Sequence, residues 1–304
     1  PYVERVTSNI DIVFAFDATM STEPIKLILE SIINSLIDFV IEKYGDKNIR
    51  IAELYFRDKA MATFLRSYYG KNDNKQIKEN TGKSKDFVII KNKASKSELI
   101  DFVRKTETIG GCGDGPEDWV DALKLANKLS WSKESKKILV LMTDSGGHGT
   151  GYYDGYCVDY FTQEMMDKID EDETPKLEAQ LRALAKKDVQ ILLIGTSYDA
   201  KVGFEKLESK YKEYTNNKVN MISKKIENTL RMDTNSRKFD LIKDEFGTMI
   251  THVVDNSFMA QNKDYGVFNP ANKEVVKRKS APKQKRTQKP APKRLDDTIQ
   301  GTQT

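Results

Sequence analysis

The sequence predicts an α/β protein: a doubly wound, mostly parallel six-stranded sheet with helices on both faces and a disordered basic tail. Three observations predict it. Short apolar runs such as Ile10-Asp11-Ile12-Val13-Phe14-Ala15-Phe16 and Ile138-Leu139-Val140-Leu141-Met142 read as strands covered on both faces, as central parallel strands must be. Such runs alternate with helical patterns, which is the arrangement that gives parallel strands and crossover helices. Two of them end abruptly in carboxylates, Asp17 and Asp144, at the strand ends where open α/β sheets place ligands.

Taken in order, Ile10–Phe16 is the first strand. Thr22-Glu23-Pro24 starts a helix with Pro in its first turn, and Ile25, Ile28, Leu29, Ile32, Ile33, Leu36, Ile37 and Val40 follow at helical spacing up to Tyr44-Gly45. Ile49–Phe56 is the second strand. The polar stretch 70–86 reads as loop, and Phe87–Ile90 as a short third strand. Ser95-Lys96-Ser97-Glu98 opens a helix through about Lys105, and a glycine-rich turn from Thr108 leads to a helix over Trp119–Leu129. Lys137–Asp144 and Val189–Gly195 are buried strands, Val219–Ile222 is an edge candidate, and Phe239–Val254 reads as a closing helix. The expected strand order is 3-2-1-4-5-6, with one domain over 1–255, an irregular extension over 256–276 and a basic low-complexity tail over 277–304.

The 304 residues carry a formal charge of +4, but residues 273–304 hold ten Lys or Arg against Glu274, Asp296 and Asp297. The body is therefore about −3, and attraction to anions belongs to the tail, including Lys277, Arg278, Lys279, Lys285 and Arg286. That composition buries no core, and with no aromatic residue the tail offers charge attraction without base stacking. Its expected partners are an acidic protein surface or nucleic acid. No run approaches the length of a membrane span, and the first residues lack a leader pattern, so a soluble, cytoplasmic protein is expected. Cys112, Cys157, His148 and His252 are too few for a disulfide framework or a four-ligand zinc site. On this reading His148 packs a loop.

Asp17-Ala18-Thr19-Met20-Ser21 offers oxygen atoms on alternating residues of one short loop, the ligand type a hard divalent ion takes. Gly110-Gly111-Cys112-Gly113-Asp114 and Met142-Thr143-Asp144-Ser145 are expected at the same sheet edge. In that order the three loops resemble the von Willebrand factor A domain family. That family's metal-ion-dependent adhesion site combines a DxSxS or DxTxS loop after the first strand, a middle-loop Thr and an Asp after the fourth strand. The resemblance covers roughly residues 9 to 255. The segments GGCGDGPED and TDSGGHG are similar to the intracellular branch found beside alpha-kinase domains.

The resemblance implies a Rossmann-like fold in which Asp17, Thr19 and Ser21 line a Mg2+ (or Mn2+ or Ca2+) ion. Asp144 then contacts the ion directly or through water. The middle Thr has no clean counterpart: Thr108 lies too early and Asp114 occupies the approximate place, either as a ligand or as the mark of an altered site. Three carboxylates would over-neutralise a divalent ion and weaken its pull on an acidic side chain from a partner.

The implied function is a non-catalytic, metal-ion-dependent protein-protein interaction module in an intracellular assembly. One alternative is a scaffold with a vestigial ion site that binds through the tail. Another is a haloacid-dehalogenase-like phosphatase, because GDGPED matches the GDxxxD metal loop in letters. Against it, Thr19 stands where most of those enzymes have an acid/base Asp, and the loop precedes two of the strongest strands. The long segment after Asp144 carries Tyr152, Tyr153 and Tyr156, which are expected to contact a partner beside the ion.

Overall fold

The computed structural model describes residues 9–38 and 49–225 apart from 24–25, 28, 32, 35–36, 71–73, 91–92, 111, 113, 155–160, 196–199 and 217–220, together with residues 244 and 248. The chain divides into compact units Pro1–Asp264 and Tyr265–Thr304, and every described residue belongs to the first.

The strands are β1 (Ile10–Asp17), β2 (Ile49–Phe56), β3 (Lys83–Ile89), β4 (Lys136–Thr143), β5 (Val189–Gly195) and β6 (Met221–Lys225), in the sheet order β3-β2-β1-β4-β5-β6. The five strands from β2 across to β6 are mutually parallel, and β3 joins β2 antiparallel. Described residues between 23 and 38 are helical (α1). They are followed by α2 (Lys59–Tyr69), α3 (Asn74–Glu79), α4 (Lys93–Lys105), α5 (Trp119–Lys128), α6 (Gln163–Ala185) and α7 (Ala200–Thr215).

All eight residues of β1 are buried, because strands flank it on both sides and helices cover both faces. The pleat sends alternate side chains to opposite layers. Ile10, Ile12, Phe14 and Phe16 pack with Leu29 and Ile33 of α1 and Leu99 and Val103 of α4. Val13 and Ala15 pack with Trp119 and Leu123 of α5, Leu177 of α6 and Leu207 of α7. Of the two acidic residues in this strand, Asp11 is fully buried yet satisfied. It accepts from Arg50 Nε at 2.8 Å and Nη2 at 2.6 Å, from Ser132 N at 2.7 Å and from Ser135 Oγ at 2.7 Å. Charge-assisted bonds of this kind offset the desolvation of the carboxylate.

Two regions depart from the sequence pattern. The stretch expected to be loop holds the end of α2's cap at Gly70, then α3, and β3 begins at Lys83, four residues before the expected Phe87. Only part of this strand is shielded, so its first half is Lys-Ser-Lys-Asp and shows no apolar run. The long segment after Asp144 ends in one continuous helix, α6, which runs from Gln163 through Pro175 and is capped by the Thr162 side chain, which accepts from Met165 N at 3.3 Å. The expected closing helix over 239–254 and the tail lie outside the described residues, except for residues 244 and 248, which are helical.

Gly203 in α7 lies where a Cβ would come within 2.4 Å of the Tyr152 carbonyl and 2.7 Å of the Trp119 ring. In an open helix, replacing Gly by Ala stabilises by about 1 kcal/mol. Here Gly203→Ala is expected to destabilise by about 1–3 kcal/mol through overpacking. Urea unfolding checks the sign, and a stabilised variant contradicts the packing described.

Candidate metal centre

β1 delivers Asp17 to the carboxyl edge of the sheet, and a 3-10 turn over Met20–Thr22 folds the following residues back over it. Asp17 Oδ1 accepts from Thr19 N and Thr19 Oγ1, both at 2.8 Å, and Oδ2 accepts from Thr143 Oγ1 at 3.1 Å. The Thr19 and Ser21 hydroxyls lie 3.2 Å apart. Thr22 Oγ1 locks the turn by donating to the carbonyls of Asp17 and Thr19, each at 2.8 Å. Asp17, Thr19 and Ser21 are therefore drawn together, with Ser21 on the exposed side of the turn.

The loops from 106 and 144 close over the same edge through backbone pairing. Ile109 N donates to Ala18 O at 3.2 Å, Glu117 N to Gly146 O at 2.8 Å, and His148 N to Glu117 O at 3.0 Å. Helix α6 holds the second loop from below: Gly149 N donates to Asp170 Oδ1 and Thr150 N to Thr174 Oγ1, both at 2.8 Å. Gly149 takes φ +132°, a conformation that a side chain would strain.

This closure brings one carboxylate oxygen each of Asp17, Glu117 and Asp144 within 4.8 Å of one another, all three residues being buried. Asp144 thus joins Asp17 as expected from the sequence, but Asp114 does not. Glu117, three residues further on, takes the place expected of Asp114, because the pairing of Glu117 with Gly147 turns that residue toward β1. Asp114 stands in a second group with Asp58 and His148, whose ligand atoms are likewise within 4.8 Å. His148 is accordingly among acidic side chains rather than apolar packing. Asp118, the last letter of the GDxxxD-like string, caps α5 by accepting from Asp121 N at 2.8 Å.

The electrostatics follow from like charges in a dry place. Burial and the neighbouring Asp144 hold the Asp17 carboxyl well above the usual carboxylate range. Glu117 is pushed up by burial and then by Asp17, Asp58, Asp144 and Asp114, so it feels both groups. Its Oε2 is buried without a hydrogen-bond partner among the described residues. Buried carboxylates of this density exist either protonated or around a cation. The donors of the Asp17 group are all oxygen, which suits a hard divalent ion such as Mg2+, Mn2+ or Ca2+. Asp17, Thr19, Ser21, Glu117 and Asp144 would hold it.

The tyrosines expected to meet a partner fare differently. Tyr152 is fully buried, with Trp119 edge-on at 6.4 Å and the Lys206 ammonium 4.7 Å over its ring, so it belongs to the core and not to a contact surface. Tyr153 is half-buried, with its hydroxyl against Gly115. Tyr156 and the tail residues Lys277, Arg278, Lys279, Lys285 and Arg286 lie outside the described residues. Among the described residues no helix is long and apolar enough to cross a membrane.

No family model matches the chain, and no curated protein matches it. Among solved structures, it is similar to the pilus adhesin SpaC from Lactobacillus rhamnosus GG, at 12% identity and a TM-score of 0.48 over 80% of this chain and 30% of that one. A mutant of the PilB minor pilin from Streptococcus sanguinis gives 12% identity and 0.45 over 83% and 63% of the two chains. The human COPII-coat protein Sec24c gives 8% identity and 0.46 over 80% and 32%. The chain thus spans about a third of SpaC and of Sec24c.

The pKa shifts set the sign of a pH dependence for the ion-free protein. Burial raises Asp114 and Asp118 to about 7, and Asp17, Glu117 and His148 are also raised, so the folded state holds protons that the unfolded chain releases. Stability from such groups is present at low pH and lost as pH climbs through the folded values. Asp58, lowered chiefly by its His148 partner against the cost of burial, acts oppositely but alone among these groups. In chelator, the midpoint of thermal unfolding is expected to fall between about pH 4 and pH 7, the window from ordinary to raised carboxylates. Saturating Mg2+ is expected to flatten the fall, and a chelated protein that gains stability over this window contradicts the assignment.

Proposed function

We propose that the chain is a metal-ion-dependent protein-binding module of the von Willebrand factor A type, non-catalytic and built to present a divalent ion at the carboxyl edge of its sheet. One observation supports it above the others: the Asp17-Thr19-Ser21 turn and the Asp144 strand end, far apart in sequence, meet with Glu117 around one point with oxygen donors only. The described topology is compatible with the doubly wound arrangement of that family.

Charge decides how such an ion would meet a partner. Burial and four acidic neighbours raise Glu117, which favours its keeping a proton. Asp17 and Asp144 then balance a divalent ion, and an acidic side chain from a partner can complete its shell. If Glu117 also ionises, the site becomes over-neutralised and rejects that side chain. Partner binding is thus expected to weaken as pH rises, while Mg2+ binding itself strengthens. Ser21 and Met20, the latter 66% exposed, are the groups a partner meets first. The burial of Asp17 and Glu117 favours holding an ion over turning over a substrate.

The test is Mg2+ titration of the full chain followed by partner capture. Mg2+ at 100 times its dissociation constant is expected to stabilise by about 2.7 kcal/mol, and Asp17→Asn to remove that gain. Proteins retained on the immobilised chain are expected to elute with chelator and to be missing from the Asp17→Asn resin. Retention that ignores both chelator and substitution defeats the proposal.

A further inference from the structure

We propose that Asp58, Asp114 and His148 form a second cation site, distinct from the Asp17 group and selective for a borderline transition ion of the zinc or ferrous class. Three elements supply it. Asp58 follows β2 and caps α2, Asp114 lies in the loop before α5, and His148 lies in the loop after β4. His148 Nε2 is 3.2 Å from Asp58 Oδ1 and 3.2 Å from Asp114 Oδ2, and the three side chains are only 1–2% exposed.

The atoms around this point are fixed from outside it. Asp58 is oriented by backbone amides: Oδ1 accepts from Met61 N at 3.1 Å and Oδ2 from Cys112 N at 3.4 Å. On the far side of the imidazole, Nδ1 faces Asp170 Oδ1 at 3.8 Å, and Gly149 N holds that carboxylate at 2.8 Å. The 3.8 Å approach to Asp170 is too long for a hydrogen bond, and Nδ1 has no hydrogen-bond partner among the described residues. A cation bound at Nε2, between Asp58 and Asp114, would leave the ring proton on Nδ1, facing a carboxylate as the second nitrogen of metal-bound histidines commonly does.

A separate observation marks a missing occupant. Asp114 Oδ2 is buried without a hydrogen-bond partner among the described residues, because its 3.2 Å approach to Nε2 is not aligned as a hydrogen bond. An acceptor in that setting needs a cation or a proton. A nitrogen ligand with two carboxylates suits borderline ions, whereas the Asp17 group has oxygen alone. The competing occupant is a proton on Nε2, which would make the triad a buried ion network with no metal.

Zinc separates these accounts, and the full chain with Mg2+ present keeps the Asp17 group filled. Only two histidines exist, so long-range 1H–15N spectra contain two imidazoles, His148 and His252. One equivalent of Zn2+ is expected to move the Nε2 resonance of His148 and spare His252, and Mg2+ alone is expected to move neither. Asp114→Asn is expected to weaken Zn2+ uptake in equilibrium dialysis by about 100-fold or more, at or above the usual loss for an outer partner. Asp17→Asn is expected to leave Zn2+ uptake intact, so failure of the Mg2+ reading is distinguishable from failure here. A His148 resonance indifferent to Zn2+ overturns the proposal, as does uptake lost in Asp17→Asn but kept in Asp114→Asn. Should Asp114→Asn fail to fold, the unsubstituted spectrum decides alone.

Discussion

Repulsion between buried carboxylates is the constraint around which the carboxyl edge of this sheet is organised. Asp17, Glu117 and Asp144 are buried and brought within a few ångströms of one another, and Asp58 and Asp114 stand alongside. Such proximity costs free energy unless protons or cations compensate, because buried charges lose hydration that only pairing restores. The surrounding fold does not relax to relieve it. Thr22 locks the first turn, Glu117 pairs its backbone with Gly146, and α6 fixes the loop that carries His148.

The two acidic groups differ in the way that matters to a cation. Around Asp17 the donors are carboxylates and hydroxyls on one tight turn, whereas around Asp58 a histidine supplies the third atom. Glu117 is electrostatically coupled to both, so filling one group changes the cost of ionising the other. Cys112, beside Asp58, does not act as a thiolate, since burial and the neighbouring carboxylates raise its thiol well above the ordinary range.

What the sequence made legible follows from how local each signal is. β1, β4 and β5 announce themselves because covered strands must be mostly apolar, and their alternation with helices implies a mostly parallel sheet. The first half of β3 was hidden because an edge strand tolerates Lys83-Ser84-Lys85-Asp86, and antiparallel pairing with β2 needs no crossover helix. Asp17, Thr19 and Ser21 were readable because they lie on one turn. Glu117 was not, since its place depends on pairing with Gly147, thirty residues on, and counting letters favoured Asp114 instead. Asp58 carried no signal of its own, and His148 looked like a packing residue until the fold set them face to face. Tyr152 misled for the opposite reason: a tyrosine serves equally in a contact surface and in a core, and the Trp119 ring claims this one.

Diffraction from crystals of the full chain grown with Mn2+ tests the central claim most directly, because anomalous scattering locates the ion without assuming its ligands. The account predicts a peak enclosed by Asp17, Thr19, Ser21, Glu117 and Asp144. Carboxylates at that edge paired to one another through protons, with no anomalous density between them at saturating Mn2+, would contradict it.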